Sequence, residues 1–197
     1  MGRALLIVAA AAVLVIVWHG HPGIRYPPGV LAPDEPEQAM LAASDSWQRG
    51  AYRIEPLARY DITARVLSTR RYWMGRESNV APIDFAVAWG AMSDQAILDQ
   101  FRFHQGSRHL YYRLRGCRMP LPREEVNAHV ANMHLIPASD EVGAHLDAVS
   151  AGQIVTLGGY LVQVNGPDGF FWKSSLSRTD TGDGACELMW VERLSVR

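Results

Sequence analysis

The stretch Gln153 to Val164 (QIVTLGGYLVQV) is apolar on both faces and carries the pair Gly158-Gly159 at its middle. It is the clearest β signal in the chain. Adjacent glycines inside a strand mark a bulge or a sharp bend, as at a barrel corner. The turn cluster Asn165 to Gly169 follows, and Phe170 to Leu176 returns as a partner strand. A second turn, Arg178 to Gly184, leads into a closing strand, Ala185 to Leu194. Val155, Leu157, Leu161, Val162, Trp172, Leu188 and Val191 are the expected core of these strands. The expected fold is α+β and β-rich, one small barrel-like antiparallel domain with short helices. An OB-like barrel is the first choice, and a sheet with helices on one face is the alternative.

The rest of the chain agrees with that texture. Asp61 to Leu67 alternates, with Ile62, Ala64 and Val66 on one side. Ser68 to Pro82 reads as a loop, and Asp84 to Trp89 as a strand or a short helix. Ser93 is placed as the cap of a short helix. Phe101 to Gln105 and His109 to Leu114 form a hairpin turning at Gly106-Ser107. Pro122 to Ala131 reads as helix and Asn132 to Ile136 as extended. Ser139 caps another helix, with Val142, Leu146 and Val149 on one face, and Gly152 ends it.

Ahead of this domain stands an apolar run, Ala4 to Trp18, preceded by Met1, Gly2 and a single Arg3. Its length lies between a signal-peptide core of about 7–15 residues and a span of about 17–25. No Ala-x-Ala site follows, Trp18 suits an interface, and Gly20 and Pro22 stop a helix. The expectation is an uncleaved signal anchor over residues 1–20, with a cleaved signal as the alternative. The expected location is a bacterial inner membrane, crossed once, with the C-terminal domain in the periplasm; the lipid bilayer is contacted through residues 4–18. Residues 21–50 are expected to form a stalk stiffened by Pro22, Pro27, Pro28, Pro33 and Pro36, with a short helix from Glu35 to Arg49. The globular domain is placed at 51–197.

Charge narrows the partners. Without Arg3, the exported part has 18 basic and 20 acidic side chains, a net of −2. That gives no electrostatic reason to expect nucleic acid. Cys117 and Cys186 are the two cysteines. In an oxidising compartment they are a disulfide candidate closing a loop of roughly 70 residues, worth about 4 kcal/mol; separate thiols, or a reactive Cys186, are the alternatives.

Two motifs stand out: Ala131-Asn132-Met133-His134-Leu135-Ile136-Pro137-Ala138, and Ser174-Ser175-Leu176-Ser177-Arg178-Thr179-Asp180-Thr181-Gly182 running into Gly184-Ala185-Cys186-Glu187. With Trp172-Lys173, Tyr60 to Ala64 and Trp89-Gly90, they resemble a group of bacterial exported or membrane-anchored proteins of unknown function. The resemblance spans roughly residues 59–193. It implies a single exported domain and carries no activity, cofactor or catalytic residue.

Candidate site residues follow from chemistry alone. A thiol mechanism needs Cys186 beside a base such as His134, with Asn132 or Glu187 orienting it. Asp180 is the carboxylate candidate, within an Asp-Thr-Gly that reads better as a turn. Asn132, Arg178 and Trp172 are binding candidates, and Phe170, Phe171, Tyr111 and Tyr112 are aromatics that could line a groove or fill a core. His104 and His109, like His129 and His134, are spaced by five. That misses the i, i+4 spacing of a helical zinc pair, so no metal is expected. No P-loop, G-x-G-x-x-G or G-x-S-x-G occurs, and no cofactor is expected. The leading expectation is a membrane-tethered, non-enzymatic periplasmic domain that binds a protein or an envelope or cell-wall component. The alternative is a small envelope hydrolase or thiol enzyme using His134, Cys186 and Asp180.

Overall fold

The computed structural model describes residues 23–43, 45–177 and 186–197. The apolar run Ala4 to Trp18 lies outside them, as do Arg178, Asp180 and the rest of residues 178–185. Among the described residues, no helix is long and apolar enough to cross a membrane.

The fold is β-rich α+β. Two short edge strands, β1 (Glu37–Met40) and β2 (Trp47–Arg49), lie against β3 (Tyr52–Arg71). Next come β4 (Ile83–Ala88), helix α1 (Gln95–Leu98) and the hairpin β5 (Phe101–Gly106) and β6 (His109–Leu114). Helix α2 (Arg123–Ala128), β7 (Val130–Pro137) and helix α3 (Asp140–Ala148) follow. The chain ends with β8 (Ile154–Asn165), β9 (Phe171–Lys173) and β10 (Glu187–Val196).

Five strands pair in a ring: β3 to β4, β4 to β7, β7 to β10, β10 to β8, and β8 back to β3. All the pairings are antiparallel except β7 with β10. A parallel pair needs a long crossover, and here α3, β8 and β9 supply it. Within the ring β3 pairs with β4 along one edge and β8 along the other, with register shifts between Val66 and Ser68 and between Pro56 and Ala58. Pro56 has no N–H to give a ladder, so an irregular position suits it.

The expected bend at Gly158-Gly159 is present. β10 shifts register between Val191 and Arg193, opposite these glycines. A Cβ on Gly159 would come within 2.0 Å of the Trp190 carbonyl oxygen, and one on Gly158 within 2.5 Å of an Asp61 carboxylate oxygen. At Gly159, where the obstacle is backbone, only hydrogen fits; at Gly158 it is the ends of the Asp61 and Arg193 side chains.

Alternation along the ring strands sorts the core. Tyr60, Ile62, Phe85, Leu135, Leu157 and Met189 are among those packed inside. A second cluster lies outside β7, β8 and β10, where Ile136, Val162 and Leu188 meet Trp47, Phe170 and Trp172. A third lies under the hairpin. Of the expected core residues, Val155, Leu157, Leu161, Val162, Leu188 and Val191 are buried, and Trp172 is half-buried. Ser139 caps α3 by accepting from the Val142 N–H.

Several expectations are corrected. Residues 35–49 hold the edge strands β1 and β2 rather than a helix, because β3 offers two stretches of free edge that pair with them. Residues 23–36 are docked rather than a free stalk. The prolines supply extended backbone without donors, and four of the other N–H groups find partners on the domain. Ile24 donates to the Ala151 carbonyl at 2.9 Å, Tyr26 to the Gln95 side chain at 3.1 Å, and Leu31 and Ala32 to Ser93 Oγ. Ala32 is fully buried. Ser68 to Arg71 continue β3, so the loop begins at Tyr72. Asp94, not Ser93, caps α1, accepting from the Ala96 N–H. β9 is shorter than expected.

Candidate functional site

The outer face of β4 and β7 carries three buried polar side chains, Asp84, Asn132 and His134. Ile83, Phe85 and Val87 point into the ring, which turns Asp84 outward. In register, Asp84 lies opposite His134 and Ala86 opposite Asn132. The parallel neighbour places Leu188 beside His134. Cys186, two residues earlier, comes to the same region: its thiol donates to the Arg108 carbonyl at 3.7 Å, and Asn132 Nδ2 donates to that same oxygen at 2.9 Å.

Arg108 comes from the tip of the β5–β6 hairpin. The turn is one residue later than the sequence suggests, with Ser107 (φ 49°) and Arg108 (φ 66°) at its apex. Two-residue hairpin turns need positive φ and favour Gly or Asn. Here two side-chain-bearing residues take the strained conformation, on the order of 1–2 kcal/mol each. The strain aims Arg108 at the sheet. Its Nη1 donates to Asp84 Oδ1 and to the Ala81 carbonyl, both at 2.8 Å. The guanidinium lies 3.9 Å from the Tyr72 ring centroid and 5.5 Å from that of Trp172.

The network extends sideways. Asn132 Nδ2 donates to Asp84 Oδ2 at 3.2 Å, Gln105 Nε2 to Asn132 Oδ1 at 2.7 Å, and Ser68 Oγ to Gln105 Oε1 at 2.6 Å. His134 Nδ1 stands 3.0 Å from Asp84 Oδ1, off the line of a good hydrogen bond. The His134 ring packs 4.8 Å from Trp172. Asp84 is fully buried, the His134 side chain is 4% exposed and that of Arg108 is 16% exposed. Burial, reinforced by the Asp84 charge and partly offset by Arg108 and Arg70, holds the Tyr72 phenol above its ordinary range.

Chemically, the cluster contains a carboxylate and an imidazole on neighbouring strands and a thiol just ahead of β10. The carboxylate is held by a guanidinium and an amide, and the imidazole is roofed by an indole. As built, the arrangement fastens the hairpin tip to the sheet.

The structure thus gathers His134, Asn132, Trp172 and Cys186 around one buried network. Arg178 and Asp180 lie outside the described residues. Asp84, Arg108, Gln105 and Tyr72 were not foreseen. The available signal was Asp84 itself, an acid inside the apolar run Ile83 to Trp89, which must find a cation or neutralise.

No disulfide joins Cys117 to Cys186. Cys186 lies by the hairpin tip, whereas Cys117 is exposed beyond Leu114 at the open end. Six residues of β6 separate these ends, about 20 Å of strand, against a Cα limit of about 7 Å for a bridge. His129 Nε2 contacts Glu35 Oε1 at 2.7 Å, and His104 stacks on Tyr111. Among the described residues, no group of three His, Cys, Asp or Glu side chains is placed to hold a metal.

The other distinctive surface is a pair of loops. Trp73 and Met74 are 78% and 88% exposed, and Phe171 is 60% exposed. Arg76, on the Trp73 loop, donates to the Pro167 and Asp168 carbonyls at 2.9 and 3.3 Å and lies over the Phe170 ring. The 72–82 loop and the 166–170 turn, which leads into Phe171 at the start of β9, are therefore tied together. No family model, curated protein or solved structure matches this chain.

Proposed function

We propose that this protein is a membrane-tethered periplasmic module that binds a protein or an envelope component without catalysing a reaction. The domain is read as an OB-like barrel. The ring of five strands, with its one parallel pair and a helix between β7 and β8, supports that reading. Barrels of this kind bind ligands over the second and third strands and with the loops after the first and fourth. In this chain the equivalent strands are β4 and β7, and their outer face is filled by Asp84, Asn132 and His134 under Arg108. The exposed apolar side chains on the two loops remain for a partner. The observation that carries the proposal is this shift: Trp73, Met74 and Phe171 stand in solvent while Asp84, Asn132 and His134 are buried. A net charge of −2 on the exported part supports a partner other than nucleic acid.

The rival is a thiol enzyme. Cys186 and His134 occupy one cluster, and that favours it; the carboxylate beside His134 would then be Asp84 rather than Asp180. It needs solvent to reach an imidazole that is almost wholly covered.

A photo-crosslinking residue at Trp73 or Phe171 in the full chain tests the proposal in cells. The expected result is an adduct with one defined envelope component from both positions, and none from the exposed Thr156. Adducts of equal yield from all three, or a turnover activity abolished by His134→Ala, would overturn it.

A further inference from the structure

The β5–β6 hairpin is charged unlike the rest of the domain. From Gln100 to Arg123 the chain holds Arg102, Arg108, Arg113, Arg115, Arg118 and Arg123, and no acidic residue. The tip arginine, Arg108, is used inside the fold. The others are exposed. Arg102 and Arg113 lie directly opposite in register, as do His104 and Tyr111. Like charges facing across a ladder are destabilising, so this pair is not explained by the hairpin's own stability. Arg102, Arg113, His104 and Tyr111 form the solvent face, above a groove of about 580 Å³ lined also by Phe103 and Tyr112.

The position of this face gives it a partner. Only His19 to Pro22 separate the apolar run from the first described residue, Gly23. From Trp18 to Gly23, fully extended chain reaches about 17 Å. The incoming segment is then fixed to the domain. Ile24 is bonded to Ala151, Arg25 pairs with Asp99 at 2.7 Å, and Gly152 leaves no room for a Cβ against the Ile24 backbone. Asp99 adjoins the open end of the hairpin, where the Arg115 N–H donates to the Gln100 carbonyl and its Nε to that of Phe101. The entry point and the basic ribbon are neighbours, on a tether too short to swing the ribbon far from lipid.

We infer that the outer face of the β5–β6 hairpin docks on the anionic phospholipid headgroups of the bilayer that holds the chain. The inference rests on reading Ala4 to Trp18 as a membrane anchor. Arginines near an anionic surface attract it over roughly a Debye length, and exposed Tyr111 suits the headgroup region.

Cys117, exposed just beyond β6, is a built-in reporter. The full chain, in a Cys186→Ser background, is spin-labelled at Cys117 and placed in nanodiscs carrying a nickel-chelating lipid. The expected result is strong relaxation by headgroup nickel in discs with phosphatidylglycerol. It should weaken in discs of phosphatidylcholine alone and at 0.5 M salt. Arg102→Gln with Arg113→Gln should lower the docked-to-undocked ratio about 25-fold, a factor of about five per arginine. Equal relaxation in both lipids, or none lost with the two arginines, overturns the inference. If the chain fails to enter discs at all, the anchor reading falls. The same chain is then mixed with phosphatidylglycerol vesicles. Salt-sensitive sedimentation that needs Arg102 and Arg113 keeps the hairpin assignment, and its absence overturns it. Binding of a single-stranded oligonucleotide through these arginines, with no response to lipid, overturns it in favour of nucleic acid.

Discussion

Asp84 decides more of the local structure than any other single residue. An unpaired carboxylate cannot be kept ionised at full burial without large cost, and Arg108 is brought in by a strained turn to meet it. Breaking a buried pair by removing one partner costs about 3–5 kcal/mol, whereas replacing both by apolar groups is often neutral. Arg108→Leu should therefore destabilise the protein by about 3–5 kcal/mol in urea unfolding. Adding Asp84→Leu should recover much of that loss. A double variant no better than Arg108→Leu would mean that the pair does not hold the hairpin tip. This network was half legible in the sequence. The Asn132 and His134 motif drew notice for its residue types. Its partners Arg108 and Gln105 sit more than twenty residues away, and only the hairpin fold brings them to β7.

Among the elements, those with their own periodicity were the readable ones. The hairpin, α3 with its Ser139 cap, and β8 with its glycine bend all follow local rules. Residues 35–49 misled because Pro36 and Gly50 resemble helix punctuation, while the edge of β3 is a non-local influence that pairs them as strands. Residues 23–36 misled because prolines look the same in a free stalk and in a docked extended segment. The glycine bend gives a sharp test. Gly159→Ala puts a methyl against the Trp190 carbonyl, backbone that cannot step aside. It should destabilise by about 3 kcal/mol, the upper end of overpacking costs. Gly116→Ala, in open space, should change stability by less than about 0.5 kcal/mol. Equal effects in denaturant titrations would show that the close approach at Gly159 is not a constraint.

For the molecule as a whole, the ring of strands carries two loops and a hairpin whose tip, Arg108, reaches the 72–82 loop at Tyr72 and Ala81. The loops offer apolar side chains, the hairpin offers arginine and tyrosine, and the chain enters beside the hairpin. These surfaces make one functional scheme only if the domain is held at a bilayer outside the cytoplasm. The β-rich class was legible because strand alternation is a local signal. A barrel was expected from the glycine bend in β8, but which strands close it was not legible, since that depends on β8 returning to a β3 that begins about a hundred residues earlier. The site was legible only as a list of residue types. The measurement that tests the account most directly is the topology of the intact chain in cells. The account predicts that the full-length protein stays in the inner-membrane fraction after carbonate extraction, and that a tag after Arg197 is cut by protease added to spheroplasts. A full-length chain released by carbonate, or a tag protected until the membrane is lysed, would contradict it.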